Sequence, residues 1–521
     1  MIYTYYKQYG NIIFLRYKKG RETITTEFKE YRPRLYTPTD KPNTDFTSIY
    51  GTPLHEMRFD DIKSAKEFCK QYEGVDNFRI EGNSRFDNQF VIELLGGQTP
   101  NYIAADIKGH VIDIEVDVAD GEGFPEPDVA EWPINAITTY ITSEAKFVTF
   151  ALKSSAQAIW YKEKSPQYLK DMDIDFVHCD TEHELLTSYL EFLAEDGHPD
   201  FTSGWNSELF DMPYLVTRMK SVVGAKMMHM LSPYGKVMEK MKTDGFGKPK
   251  LKVEIIGVPH LDYMELYKKH IFTPRESYKL NFIAEAEVHE KKIDYKGSLH
   301  QLYLDDFQTF MDYNIHDVNL IRLLEAKLGL FQVTFALAYY TLANYEDTLG
   351  TVKIWEELAA KHLFTVKQVP LFRKEKGIER DYEGAFVHPV AVGKHGWTFS
   401  IDLNSLYPHN EIQYNIGLET SVAYQDLPKE LQHLADQNFT VDDLVECKVD
   451  TSALLKYNYA MAPNKQFYRK DKQSFFAVIK EALYANRKVY KKKMLAAEQK
   501  LSDVKNEIER RGLFKNKGIS I

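Results

Sequence analysis

Cysteine is scarce in this 521-residue chain: Cys69, Cys179 and Cys447 stand far apart, with no CxxC pair and no neighbouring histidine cluster. That spacing argues against a disulfide framework and against a Cys/His zinc site. Long apolar runs are also lacking. No stretch of 18 apolar residues occurs, so no membrane-spanning helix is expected. The opening MIYTYYKQYGNIIFLRYKKG has no apolar core of the signal-peptide kind. Internal repeats and low-complexity tracts are absent. A reducing cytoplasm and no membrane partner are the expectation.

What is present is a globular composition. The chain is 44% hydrophobic and 13% aromatic, which supplies packed cores and argues against disorder. Its length suggests roughly three or four domains at about 150 residues each. Net charge is −10, unevenly spread: residues 465–521 hold 16 Lys and Arg against 6 Asp and Glu, a net of +10, and the remainder carries −20. The basic segment reads either as a solvated helix face or as a phosphate-facing surface whose hold on nucleic acid weakens in salt.

Hydrophobic patterning divides the chain. Residues 1 to about 104 mix strand-like runs (NIIFLRY, FVIELL) with turns such as YTPTDKPNTD. From about 105 to 330 strands alternate with helices: HVIDIEVDV, FVTFAL, HELLTSYLEFLAED, IIGVPHLDYMELYKK and the closing helix DYNIHDVNLIRLLEAKLGL. That alternation predicts an α/β domain. Residues 330 to 370 read as helical. GAFVHPVAVGKHGWTFSIDLNSLYP reads as strands, and the tail from SFFAVIK to IERRG as one long helix.

Carboxylates supply the candidate chemistry. In HVIDIEVDV, strand alternation puts Ile112, Ile114, Val116 and Val118 on one face and Asp113, Glu115 and Asp117 on the other. Adjacent carboxylates repel unless a cation lies between them; the plainer alternative is a wet acidic face. Asp211, ahead of Met-Pro, reads as a helix N-cap or as a third acid. Tyr313 and Asp317 are four apart on one helical face, an ordinary polar stripe or part of a site. His316 points about 100° away and reads as a surface or packing residue.

Taken together, Asp-x-Glu, Asn-x-x-x-Phe-Asp and Tyr-x-x-x-Asp resemble the three-motif signature of DEDDy-type 3′→5′ proofreading exonucleases. The segments from Gly109 to Tyr140, from Leu261 to Glu285 and from Tyr313 to Glu325 resemble family B DNA polymerases of T-even-type bacteriophages, and the resemblance runs through nearly the whole chain. It implies an α/β multidomain architecture: an N-terminal α+β domain over 1–104 and 330–371, an RNase H-like exonuclease domain over 105–329, a partial palm over 372–465, and a partial fingers domain, its first helix, over 466–521. It implies that Asp113, Glu115, Asp211 and Asp317 hold two Mg²⁺ or Mn²⁺ ions, which suit carboxylate ligands. Tyr313 would bond the attacking water, and Phe210 would pack or stack near the frayed terminal nucleotide.

The resemblance also covers a polymerase element. In FSIDLNSLYP it makes Asp402 the first palm metal ligand, with the Leu403 backbone beside it, Ser405 and Leu406 amides facing nucleotide phosphates, and Tyr407 under the sugar. Tyr382 and Gly384 in DYEGAFVHP would contact template DNA. Arg487 and Lys491, four apart, would bind the incoming triphosphate. The implied partners are primer–template DNA, single-stranded 3′ ends, dNTPs and replisome proteins, in the host-cell cytoplasm.

After Asp402 the sequence contains no Asp-Thr-Asp and no Asn-Ser-x-Tyr-Gly. The expectation is a split polymerase whose second chain supplies the rest of the palm, fingers and thumb. Two alternatives stand beside it: a stand-alone 3′→5′ exonuclease, and a non-catalytic nucleic-acid-binding fragment.

Overall fold

A computed structural model describes residues 1–42, 44–75, 78–155, 158–243, 247, 249–371 and 387–511. The chain divides into two compact units, one of residues 1–42 and 54–365, the other of residues 43–53 and 366–521. It is a mixed α/β protein. Among the described residues no helix is long and apolar enough to cross a membrane.

The first unit opens with an antiparallel meander, β1 (Ile2–Tyr9), β2 (Ile12–Lys19) and β3 (Glu22–Phe28). Helix α1 (Phe86–Leu95) follows. It contains the run FVIELL, which alternation suggested as a strand. Short apolar runs satisfy both periods; Asn88 and Gln89 are buried along with Phe86, Phe90 and Val91, and Gly96 closes the helix at φ 59°, a left-handed cap open to glycine.

A six-stranded mixed sheet carries the unit. In chain order its strands are β4 (Gly109–Val116), β5 (Ile134–Ile141), β6 (Lys146–Leu152), β7 (Asp173–Cys179), β8 (Phe201–Gly204) and β9 (His260–Asp262), with α2 (Glu182–Glu195) between β7 and β8 and α3 (Asp211–Val222) between β8 and β9. The spatial order is β7-β6-β5-β4-β8-β9. Strands β4, β5 and β6 are antiparallel neighbours, whereas β7, β8 and β9 add in parallel. One face packs Ile112, Ile114, Ile137, Val148 and Phe150 against Leu186 and Leu190 of α2 and Leu215 and Met219 of α3. Thr181 caps α2 by accepting from the Glu184 amide.

The opposite face is covered by α4 (Phe307–Leu328), 22 residues long, capped by Asp306 and ended by Gly329 at φ 62°. Helices α5 (Leu330–Thr341) and α6 (Thr351–Thr365) follow. Two ties bind the meander into this unit. The Tyr339 hydroxyl donates to the Tyr3 carbonyl at 2.9 Å and the Tyr6 hydroxyl to the Leu342 carbonyl at 2.7 Å. The Lys18 ammonium meets Asp200 at 3.0 Å, fully inside, and Asp200 also accepts from the Lys108 amide at 2.9 Å. A buried charge pair is tolerated when its other lone pairs are used.

The second unit contains α7 (Leu406–Tyr414), a small sheet with β10 (Tyr459–Met461) and β11 (Phe467–Arg469), and α8 (Phe475–Arg511). Its core gathers Leu427, Leu431, Leu434, Met461 and Phe467. Glu419 accepts from the Phe475 amide at 2.7 Å, placing a carboxylate at the α8 N-terminus, where unpaired amides favour it. Residues 387–403, expected as strands, join no ladder among the described residues and are exposed. The apolar alternation of Phe399, Ile401 and Leu403 is present, but a strand also needs a neighbour's backbone to satisfy its own.

Candidate active site

The site forms where β4 faces α4. Ile112 and Ile114 turn into the core; Asp113 and Glu115, half-buried, point the other way toward α4. Asp317 on α4 is buried. One oxygen from each of Asp113, Glu115 and Asp317 lies within 4.8 Å of the other two. Strand period two and helix period 3.6 thus bring residues about 200 positions apart into one cluster.

Asp211 is adjacent but held differently. It is the first residue of α3, and Phe210 occupies the N-cap without a side-chain cap bond. The capping alternative therefore fails. Its Oδ1 instead accepts from the Ile114 amide at 3.3 Å, which ties it to the strand between the two β4 acids. It stands outside the 4.8 Å group of three.

The electrostatics follow from crowding buried acids. Burial, then repulsion from Glu115, Asp211 and Asp317, pushes Asp113 well above the ordinary carboxyl range. Burial, then Asp317, pushes Glu115 up to about 8. Burial pushes Asp211 up to about 7 although the Ile114 amide opposes it. Burial also raises Asp317, with Lys292 opposing. Such a cluster invites a cation.

Lys292 supplies one positive charge. Its Nζ donates to Asp317 Oδ2 at 2.5 Å and to the Tyr313 hydroxyl at 3.0 Å. Burial works against the ammonium, but Asp317, Tyr313 and Asp113 more than offset it and hold its pKa above the ordinary value. Burial, then Asp317, raises Tyr313, so it stays a phenol. Its oxygen accepts from Lys292, and a hydrogen bond with the Tyr313 side chain helps hold Asp317 down against its burial. His316 is buried, its Nε2 bonded to the Lys291 carbonyl at 2.8 Å. It is a packing residue that anchors the segment presenting Lys292.

Three contributors lie outside the motifs read from the sequence. Lys292 sits among EKKIDYK, where nothing separates it from its neighbours. Asn314 follows Tyr313 and donates Nδ2 to Asp113 Oδ2 at 2.9 Å. Phe124, the aromatic of the acidic loop DGEGFPEPD, is 78% exposed. Its ring lies 5.0 Å from that of half-buried Phe210, which in turn touches Tyr214. The signal for Phe124 is legible: an aromatic stranded among Gly, Pro and acids has no core to enter.

The carboxylate set fits divalent cations. Asp317 Oδ1 is buried with no hydrogen-bond partner, an acceptor left over beside two more carboxylates, and hard oxygen ligands are what Mg²⁺ and Mn²⁺ take.

In the second unit, Asp402 is exposed and has no comparable ligand group among the described residues. Ser405 precedes α7 at φ 56°. Arg487 Nη1 donates to Ser405 Oγ at 3.2 Å, so two of the expected nucleotide-binding residues meet. Leu406 begins α7; Leu403, Tyr407 and Lys491 are exposed. Tyr382 and Gly384 lie outside the described residues.

The comparisons with known proteins bear chiefly on the first unit. Residues 85–283 match the family model described as DNA polymerase family B, exonuclease domain. The chain is 27% identical over 514 residues to the DNA-directed DNA polymerase of Escherichia phage RB69, covering 95% of this chain and 54% of that protein. The corresponding enzyme of Enterobacteria phage T4 is 27% identical over 513 residues, covering 96% and 54%. The DNA polymerase delta catalytic subunit of Plasmodium falciparum is 25% identical over 350 residues, 62% of this chain and 29% of that protein. The chain thus spans about half the length of the phage relatives it matches. Asp113, Glu115 and Asp211 fall inside the family match; Lys292, Tyr313 and Asp317 follow it.

Proposed function

We propose that the first unit is a 3′→5′ exonuclease, RNase H-like in fold, that trims single-stranded DNA 3′ ends, and that the second unit is the start of a family B palm and fingers. The observation that carries the nuclease reading is the convergence of Asp113, Glu115 and Asp317 within 4.8 Å, with Asp211 tied to the same strand. These four acids would hold Mg²⁺ or Mn²⁺, which when bound supplies Lewis-acid activation of water and charge stabilisation at the leaving 3′-oxygen. The protein's part is positioning. Lys292 holds Tyr313 and Asp317 in register. Tyr313 would bond the attacking water. Phe124 and Phe210 offer a stacking surface for unpaired bases, a sequence-tolerant contact.

For the second unit the support is the segment FSIDLNSLYP and the Arg487–Ser405 contact; in this reading Asp402 would be a metal ligand with Leu403 beside it, Tyr407 would lie under the sugar, and Leu406 and Lys491 would join Arg487 and Ser405 at the triphosphate. Template contacts fall to Tyr382 and Gly384. The proposal keeps the domain division expected from the resemblance: 1–104 with 330–371, 105–329, 372–465 and 466–521. Synthesis calls for a second palm carboxylate motif, and no Asp-Thr-Asp follows Asp402 within these 521 residues.

The test uses 5′-labelled single-stranded DNA. With Mg²⁺ or Mn²⁺ the chain should yield a descending ladder, and Asp113→Ala with Glu115→Ala should abolish it while the thermal melt stays cooperative. A ladder that persists in that double variant would overturn the acid assignment. Primer extension is expected only when the chain is co-expressed with a polypeptide carrying Asp-Thr-Asp; extension by this chain alone would refute the second-unit reading.

A further inference from the structure

A row of buried polar groups crosses the sheet behind the acids. Asp113 on β4 pairs directly with Thr138 on β5, and Thr138 with Thr149 on β6. Thr138 and Thr149 hydroxyls lie 3.0 Å apart, Thr138 Oγ1 lies 2.5 Å from Asn314 Oδ1, and Asn314 Nδ2 reaches Asp113 Oδ2 at 2.9 Å. Thr138, Thr149 and Asn314 are all fully buried.

The direction of this chain is fixed at its end. In the form that binds a cation Asp113 is ionised and only accepts, so the amide turns Nδ2 toward it, as the 2.9 Å contact has it. Oδ1 then faces Thr138, which must donate to it. The single Thr138 hydrogen is thereby used, so Thr138 accepts from Thr149. Four hydrogen-bonding groups on three strands and one helix thus have one consistent arrangement, and a buried network with every member paired is stiff.

We infer that Asn314 is a positioning residue for the nuclease centre, locked by Thr138 and Thr149. It occupies one oxygen of Asp113 and leaves the other for a cation. Because it lies three residues before Asp317 on α4, the same bond sets the register of helix against strand in which Asp317 joins Asp113 and Glu115. The inference rests on the exonuclease reading above, and extends it to residues that touch neither DNA nor metal.

Thr138→Val tests it, because it keeps the side-chain volume and removes the hydroxyl that orients the amide. Mn²⁺ binding to the full chain without DNA, followed by electron paramagnetic resonance, should weaken on the order of 10-fold, the lower end of what loss of an outer-shell partner costs. On single-stranded DNA kcat should fall while KM stays put, and Thr138→Ser should restore both kcat and Mn²⁺ affinity. Asn314→Leu should weaken Mn²⁺ more strongly; if it does not fold, Thr138→Val decides. Wild-type Mn²⁺ affinity in a cooperatively melting Thr138→Val protein would overturn the inference. Asp113→Ala separates the two readings. If it loses Mn²⁺ and Thr138→Val does not, only the positioning role falls; if it binds Mn²⁺ like wild type, the acid cluster is not the metal site and both fall.

Discussion

Glu115, pushed up to about 8 by burial and by Asp317, and Asp211, pushed up to about 7 by burial, make the metal-free fold sensitive to pH. A carboxyl whose pKa is higher in the folded chain than in the unfolded one binds its proton more tightly when folded. The contribution to stability is therefore full below the unfolded carboxyl range, about pH 4, and is lost as pH rises through 7 and 8. In EDTA the wild-type melting temperature should fall between about pH 6 and about pH 8.5 more than that of Asp113→Asn with Glu115→Gln, by several °C at roughly 2–4 °C per kcal/mol. Saturating Mn²⁺ should reverse the fall in the wild type alone, since the ion binds the ionised form. Lys292→Met should steepen the wild-type fall by removing the ammonium that opposes the rise of Asp113, Glu115 and Asp317. Parallel pH profiles in all three proteins would remove the electrostatic account. At this same scale the stacking surface can be isolated. Phe124→Ala, at a side chain 78% exposed, should leave the melt unchanged and weaken single-stranded DNA binding about 5- to 150-fold, from 1–3 kcal/mol per stacked base. Unchanged affinity in a fluorescence anisotropy titration would return Phe124 to an ordinary loop residue.

The elements that build the site depend on close approach of β8 to β4. A Cβ placed on Gly204 would lie 2.7 Å from the Ile112 carbonyl and 2.7 Å from Ser207 Cβ, and neither the strand backbone nor that short side chain can move away. Gly204→Ala should cost about 1–3 kcal/mol by overpacking, read as a lower melting temperature. It should weaken Mn²⁺ binding too, because Ile112 adjoins Asp113. A melt and an affinity like wild type would mean that β8 yields without moving β4. The legibility of the sequence follows element length. The long periodic helices, such as α2, α4 and α8, are readable because many turns repeat one pattern, and the β4 alternation shows which side chains face the acid site. FVIELL is ambiguous because so short a run fits two periods. Residues 387–403 carry a strand's alternation, but pairing is a property of neighbours that no local pattern contains. The acids are legible as a signature in order. Lys292 and Asn314 are not, because their roles arise from distances across 21 to 201 positions in the chain that spacing within one motif cannot express.

Across the whole molecule, charge is segregated in sequence. Residues 465–521 carry +10 on a chain of net −10. A polyanion meeting such a chain is repelled by most of it and drawn to one part. On α8 the side chains of Lys488, Lys492 and Lys493 are exposed, and none of them is needed for the Arg487–Ser405 hydrogen bond. If they face phosphates, removing each ammonium should reduce the slope of log affinity against log salt by about 0.9 on duplex DNA, or about 0.7 on a single strand, through counterion release. The triple change to Gln should therefore weaken primed-duplex binding most at low salt and flatten the salt dependence by roughly 2–3 in slope. It should leave Mn²⁺ affinity and the melting temperature as they are, since the exposed stretch of the helix adds nothing to the acid cluster. Measured by anisotropy over a salt series, an unchanged slope would identify these lysines as a solvated helix face, the plainer of the two readings the sequence allows for its basic segment.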